Sequence, residues 1–410
     1  MKNIYIHLFI LCLSISLNGQ FWSYDTSFST NIDVRDQGII RSSKNILSFI
    51  DYTNSTYYFK VLSNYKSETV YGSKKNGMVI YSVNLLTKKT DSVSIILPVD
   101  IRNQLINSED NINSLAISKD FAIIELSNKT LIFKRKKNKY NYISKIDVPA
   151  GESYTVYPLR DNKFIFSNQV KHYTKFDKDN YYILLYDAEI GKIIREVKLT
   201  SIGRAFGAFI HNWISITNDR IFICNPTGID FKEYDFSLNK ISEFDSSLKE
   251  DTLLNNELNR IIHSKSQFLP ELKIIGSKTI RIEKIYAIND DLILLDVINP
   301  RVLNDERLIY YATKKSNKWL LLDDSLKLNI NMPDNYNKIL RDKYNIWHDL
   351  FWVNKPEYFI YKNKFFHLDL IYAPPFWLDG SENLTEKYQS YFSKNKYFYG
   401  ITYYNLLHFK

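Results

Sequence analysis

The chain has 410 residues, 45% of them apolar and 15% aromatic, which excludes a disordered chain and leaves ample material for a core. Its 31 Tyr and 25 Phe favour pleated surfaces, and its 12 Gly and 10 Pro leave most turns to Asn, Asp, Ser and Lys. The formal net charge of +9 comes from lysines spread through the turns instead of one stripe, so it reads as solubility and implies no nucleic-acid partner.

At the N-terminus, Lys2 precedes the apolar stretch Ile4–Leu17, interrupted by His7 and two serines, and Asn18-Gly19-Gln20 forms a small polar exit. This predicts a secretory signal peptide over 1–19, cut between Gly19 and Gln20; Leu17, three residues before the cut, leaves the bond open. A bilayer span needs ~20 apolar residues. Neither this run nor any later one has that length, so no transmembrane segment is expected, and the product is expected to be secreted or periplasmic. Cys12 leaves with the signal, and Ile10-Leu11 before it argue against a lipidated cysteine. Cys224 then remains as a small buried hydrophobe with no disulfide partner.

Residues 20–44 form an N-terminal segment in which Asp36–Arg41 is expected to act as a ring-closing strand. From 45 to 410 a four-run unit recurs at a spacing of roughly 40–50 residues, which is how a β-propeller of four-stranded antiparallel blades reads. Blade one reads Ile46–Tyr52, Tyr57–Ser63, Met78–Asn84 and Ser92–Leu97. Blade two reads Ile112–Ile117, Phe121–Leu126, Leu131–Lys134 and Tyr142–Val148. Blade three reads Tyr154–Leu159, Phe164–Ser167, Tyr181–Tyr186 and Ile193–Leu199. Blade four reads Trp213–Thr217, Arg220–Asn225, Ile229–Asp235 and Lys240–Phe244. Blade five reads Ile282–Ile288, Leu292–Ile298, Leu308–Ala312 and Trp319–Leu328. Blade six, the least regular, reads Asp349–Val353, Tyr358–Tyr361, Phe365–Ile371 and Tyr397–Leu406. The count is six, with seven as the alternative if 21–66 holds a separate blade. The fold class is therefore all-β, with one or two helical insertions.

Strands a to d of each blade run from the centre to the rim. The a–b and c–d turns are short, as at Asp161-Asn162, Asn218-Asp219 and Leu238-Asn239. The long connections are b–c links such as Asn168–Asn180 and Asn299–Arg307, and d-to-next-a links such as Asp100–Asn111, Ser201–Asn212, Ser246–Arg281 and Asn331–His348. Alternating strand direction puts the b–c and d–a links on one face of the disc, so nearly all the insertion lies there, with the short Lys362–Lys364 in the last blade an exception. Long loops on a rigid scaffold are where binding resides. Two insertions read as amphipathic helices. One spans Leu248–Lys265 behind the capping box Ser247-Leu248-Lys249-Glu250; the other starts at Ser381 with Leu384, Tyr388, Tyr391 and Phe392 in one stripe.

No catalytic motif, metal-ligand spacing or cofactor motif is present. There is no Gly-x-Ser-x-Gly elbow, phosphate loop or Cys-x-x-Cys, and the histidines are scattered. Lys134-Arg135-Lys136-Lys137-Asn138-Lys139 reads as a solvated hairpin tip. Asp177-Lys178-Asp179-Asn180 lacks the rest of a calcium loop. The candidate ligand-binding residues follow from position on the long links: His172 and Tyr173, Arg204, His211 and Trp213, Arg301, and Trp347 and His348. These are side chains that binding surfaces recruit.

The strand rhythm over most of 36–330, as in Phe121-Ala122-Ile123-Ile124 and Tyr182–Asp187 followed by Gly191-Lys192, resembles the exported, TolB-like six-bladed β-propeller proteins of Bacteroidetes. The resemblance implies a fold more than an activity. Two functional readings stand. The first is an exported, non-enzymatic binding or scaffold module, a monomer, whose partner is a protein, peptide or glycan. The alternative is a metal-dependent hydrolase or lyase with its site at the central channel.

Overall fold

The computed structural model of the chain describes residues 22–33, 46–52, 54–61, 77–106, 112–126, 129–147, 152–170, 182–198, 214–224, 230–245, 281–298, 307–315, 318–322, 346–347, 359–362, 364–371 and 398–406. The described strands build six blades of a β-propeller. Blade one holds β2 (Ile46–Asp51), β3 (Thr56–Val61), β4 (Gly77–Asn84) and β5 (Thr90–Ile96). Blade two holds β6 (Ser114–Ile117), β7 (Phe121–Glu125), β8 (Lys129–Lys136) and β9 (Lys139–Asp147). Blade three holds β10 (Glu152–Pro158), β11 (Lys163–Val170), β12 (Tyr182–Asp187) and β13 (Lys192–Lys198). Blade four holds β14 (Ile214–Ile216), β15 (Ile221–Cys224), β16 (Asp230–Tyr234) and β17 (Lys240–Asp245), and blade five β18 (Arg281–Asn289), β19 (Leu292–Ile298), β20 (Arg307–Lys315) and β21 (Lys318–Leu322).

Blade six corrects the sequence reading. β22 (Ile346–Trp347) and β23 (Phe359–Tyr361) both pair with β24 (Lys364–Ile371), β24 pairs with β25 (Phe398–Leu406), and β25 pairs with the N-terminal β1 (Trp22–Asp33). Phe359–Tyr361 thus takes the inner position expected of Asp349–Val353, which lies outside the described residues. The fourth strand comes from the other end of the chain. Ring closure falls to Trp22–Asp33; Asp36–Arg41 lies outside the described residues. The short Lys362–Lys364 segment becomes an a–b turn, so it joins the other short turns and is no exception.

The first two strands of a blade are sandwiched between the neighbouring blades, so they are mostly apolar on both faces. β6, β7 and β15 are buried throughout, whereas β13 at the rim is exposed along its length. In blade three the period of two divides the core. Phe164, Phe166, Leu184 and Tyr186 pack toward Phe121 and Ile123 of blade two, and Ile165, Ile183 and Leu185 pack toward Ile221 and Ile223 of blade four.

The c–d turns of blades one, three and four share one device. Asn84, Asp187 and Asp235 each accept N–H groups two to four residues ahead through Oδ1: Leu86 and Thr87, Glu189 and Ile190, Ser237 and Asn239. A left-handed residue then releases the chain into the outer strand: Lys88, Gly191 and Leu238, with φ of 58°, 69° and 58°. Asp161 and Asn162 are both left-handed in the β10–β11 hairpin, the backbone of a type I′ turn.

Blades one and two are welded at the rim. β5 and β9 pair in parallel through Ser94↔Lys139, Ile95↔Tyr140 and Ile96↔Asn141, giving one eight-stranded sheet. Outer strands of successive blades run the same way, so only a parallel ladder is open to them. The closing seam between blades six and one is aromatic. Tyr57 meets Phe359 and Phe366, with centroids 5.2 and 5.3 Å away, and Phe366 also packs on Tyr403 at 5.7 Å.

Candidate functional site

The disc has two unlike faces. On the face of the short turns, polar side chains tie blades two to five to one another. Ser118 Oγ donates to Asn162 Oδ1 at 2.8 Å, joining blades two and three, and Asn162 Nδ2 donates to Asp120 and Glu189 at 3.1 and 2.8 Å. Arg160 Nη1 lies 3.1 Å from Asp219 Oδ1, joining blades three and four. Thr217 Oγ1 donates to Asp290 Oδ1 at 2.6 Å, joining four and five. These turn residues are thus engaged with the neighbouring blade.

The inner strands are committed in a similar way. Ser114 Oγ accepts the N–H of Val156 at 2.9 Å, and Ser215 Oγ accepts that of Ala287 at 2.9 Å. In each case a hydroxyl on one inner strand satisfies a backbone N–H of the next blade's inner strand, so these serines tie neighbouring blades together.

The opposite face receives the C-terminal ends of every b and d strand, so the connections 62–76, 171–181, 225–229, 299–306 and 372–397, and those following each d strand, leave from it. The part described is α1 (Val99–Ile106), in the link between blades one and two. Pro98 precedes it and Asp100 lies in its first turn, the usual helix-start chemistry. Ile101 and Leu105 pack into the core of blades one and two, Lys129 Nζ donates to Gln104 Oε1 at 2.7 Å, and Val99, Asp100 and Asn103 stay exposed. The sequence reading left this segment as an open link; two core residues at i and i+4 were its only periodic signal.

Of the eight candidate ligand residues, His172, Tyr173, Arg204, His211, Trp213, Arg301 and His348 lie outside the described residues. Trp347 is on β22, opposite Leu370 of β24 in the inner layer of blade six. The helices expected over Leu248–Lys265 and after Ser381 also lie outside them.

Besides Asp51, three more deeply buried carboxylates escaped the sequence reading. Glu125 and Asp296 sit near the link-face ends of β7 and β19, and Glu233 sits in β16, all but inaccessible to water. A lone acid inside the apolar runs Phe121–Leu126 and Leu292–Ile298 was the available signal. Glu233 accepts hydrogen bonds from Lys314 Nζ at 2.8 Å, Ser242 Oγ and Trp319 Nε1, and Arg220 Nε lies 3.2 Å away at an angle too poor for a hydrogen bond. Burial alone pushes this carboxyl up, but the Lys314 and Ser242 hydrogen bonds and the Lys314 charge outweigh it and hold it below the ordinary glutamate value. Burial pushes the Cys224 thiol, at the end of β15, far above its usual value, which keeps it protonated. No three His, Cys, Asp or Glu side chains converge to hold a metal among the described residues, and no described helix is long and apolar enough to cross a membrane.

No family pattern and no curated protein matches the sequence. Solved structures resemble the fold. A luciferin-regenerating enzyme superposes with a TM-score of 0.39 at 9% identity, covering 90% of this chain and 94% of that one. A protein of unknown function from Bacteroides caccae gives 0.33 at 12%, covering 70% and 78%. The Cps50 (Swd1) β-propeller domain of Myceliophteria thermophila gives 0.34 at 10%, covering 72% and 73%.

Proposed function

We propose that the protein is an exported, TolB-like propeller acting as a non-enzymatic binding module, and that it engages a protein, peptide or glycan through the link face. The observation that carries the reading is the asymmetry of the disc. Turn-face groups such as Ser118, Asn162, Thr217 and Asp290 are spent on inter-blade bonds, while every connection of variable length departs from the other side. The inner-strand serines 114 and 215 are engaged in holding neighbouring blades together, which favours binding over chemistry at the channel. The basic, apolar N-terminus supports export.

The reading is tested with a photo-cross-linking residue placed, in separate variants, at 172, 204 and 301 in the links and at 119, 161 and 290 in the turns, in the producing cell. Adducts are expected from the first set. Adducts from the turn set alone, or from neither, would sink it. N-terminal sequencing of the mature product, expected to begin at Gln20, tests export independently.

A further inference from the structure

Each blade of the propeller ends at the rim in an outer strand, and the far edge of such a strand recruits other strands unless it is covered or otherwise defended. Among the described outer strands, five are defended. β9, β13 and β17 each carry a one-residue bulge at the matching place. The register steps between Ile132 and Phe133, Leu185 and Tyr186, and Glu233 and Tyr234 leave Ile143, Ile194 and Ile241 unpaired and 50%, 44% and 43% exposed. A bulge breaks the line of the edge and ends pairing; the β5–β9 ladder stops at Asn141, just before the bulge at Ile143. β5 has no bulge, but β9 covers it along Ser94–Ile96. β1 is bulged twice.

β21 has none of these defences. Its ladder with β20 runs from Lys315↔Lys318 to Tyr311↔Leu322 without a step, and among the described residues β20 is its only ladder partner. β17 touches it without pairing. After Lys318 the strand is wholly apolar, Trp319-Leu320-Leu321-Leu322. Trp319 is turned against Phe222 and Phe231 of blade four, whereas Leu320 remains 45% exposed.

We propose that the β21 edge is a self-association surface, where a second copy of this chain adds its own β21 antiparallel across a two-fold axis through Leu320. In that register Leu320 meets Leu320, Lys318 meets Leu322 and Trp319 meets Leu321, so no like charges face each other. The same operation on β13, centred on Arg195, opposes Arg195 to Arg195 and Lys192 to Lys198, an arrangement that repels. The pairing is isologous and closes on itself. It departs from the monomer expected from sequence. A five-residue ladder makes a small interface, so association depends on concentration.

Sedimentation velocity of the full chain across a concentration series tests this. The wild type is expected to pass from monomer to dimer. Leu320→Lys and Leu320→Glu, at an exposed site and with unchanged circular dichroism, are each expected to weaken dimerisation by about tenfold or more by placing like charges on the axis. Mixing the two variants is expected to restore a dimer. A wild type that stays monomeric at every concentration, a Leu320→Lys variant that dimerises like wild type, or a mixture that stays monomeric would overturn the proposal.

Discussion

Glu233 of β16 and Lys314 of β20 lie 2.8 Å apart, Oε2 to Nζ, across the boundary between blades four and five. The carboxylate is fully buried and the lysine nearly so, and Trp319 and Ser242 complete the shell. A buried pair adds little over an apolar one, but removing one partner strands the other charge.

Lys314→Met is therefore expected to destabilise the protein by about 3–5 kcal/mol, read from chemical denaturation. A loss under about 1 kcal/mol would mean that Arg220 alone neutralises the carboxylate.

The same carboxylate makes the protein acid-sensitive. Its folded value lies below the ordinary 4.5, so it contributes stability that is fully present above the unfolded value and lost as pH falls through the folded one. Asp235 shifts the same way: burial raises it, but hydrogen bonds from Asn239 and Ser237 prevail and hold it below 3.8. Stability measured by thermal melts is expected to fall from pH 4.5 downward, and Glu233→Gln is expected to flatten that slope. An unchanged slope in the variant would remove Glu233 from the account.

The aromatic seam predicts a second weak point. Phe366 is fully buried between Tyr57, Phe359 and Tyr403. Phe366→Ala is expected to cost about 3–5 kcal/mol, and limited proteolysis should then cut first near the joint of blades six and one. Cleavage elsewhere, with stability intact, would show that this seam does not close the ring.

Deleting residues 22–33 exposes the edge of β25 along Phe398–Leu406, a run rich in Tyr and Phe. The truncated chain is expected to aggregate, while a co-expressed peptide of 22–33 should rescue it. A soluble, monomeric truncation would contradict closure by β1.

Cys224 provides a solvent-access probe. Native protein is expected to leave this thiol unmodified by a maleimide and denatured protein to react fully, as read by mass spectrometry of its peptide. Rapid labelling in the native state would mean that blade four opens.

Blades one to five were legible because their punctuation is chemical. Asn84, Asp187 and Asp235 announce hairpins locally, and the apolar runs between them have strand length. Blade six was misassigned because a strand's place in a sheet is not a local property. Nothing in Phe359-Ile360-Tyr361 says inner or second, and nothing in Trp22–Asp33 says that its partner lies near residue 400. The Glu233–Lys314 pair spans 81 residues and was equally invisible. The candidate ligand residues came from loop position alone, and only Trp347 falls on a described strand.

The parallel ladder between β5 and β9 makes the ring mechanically uneven. A wheel of independent blades flexes equally at every joint, but here the first two move as a single stiff sector. Among the described residues no other joint carries a backbone ladder, so compliance at those joints is set by side-chain contacts.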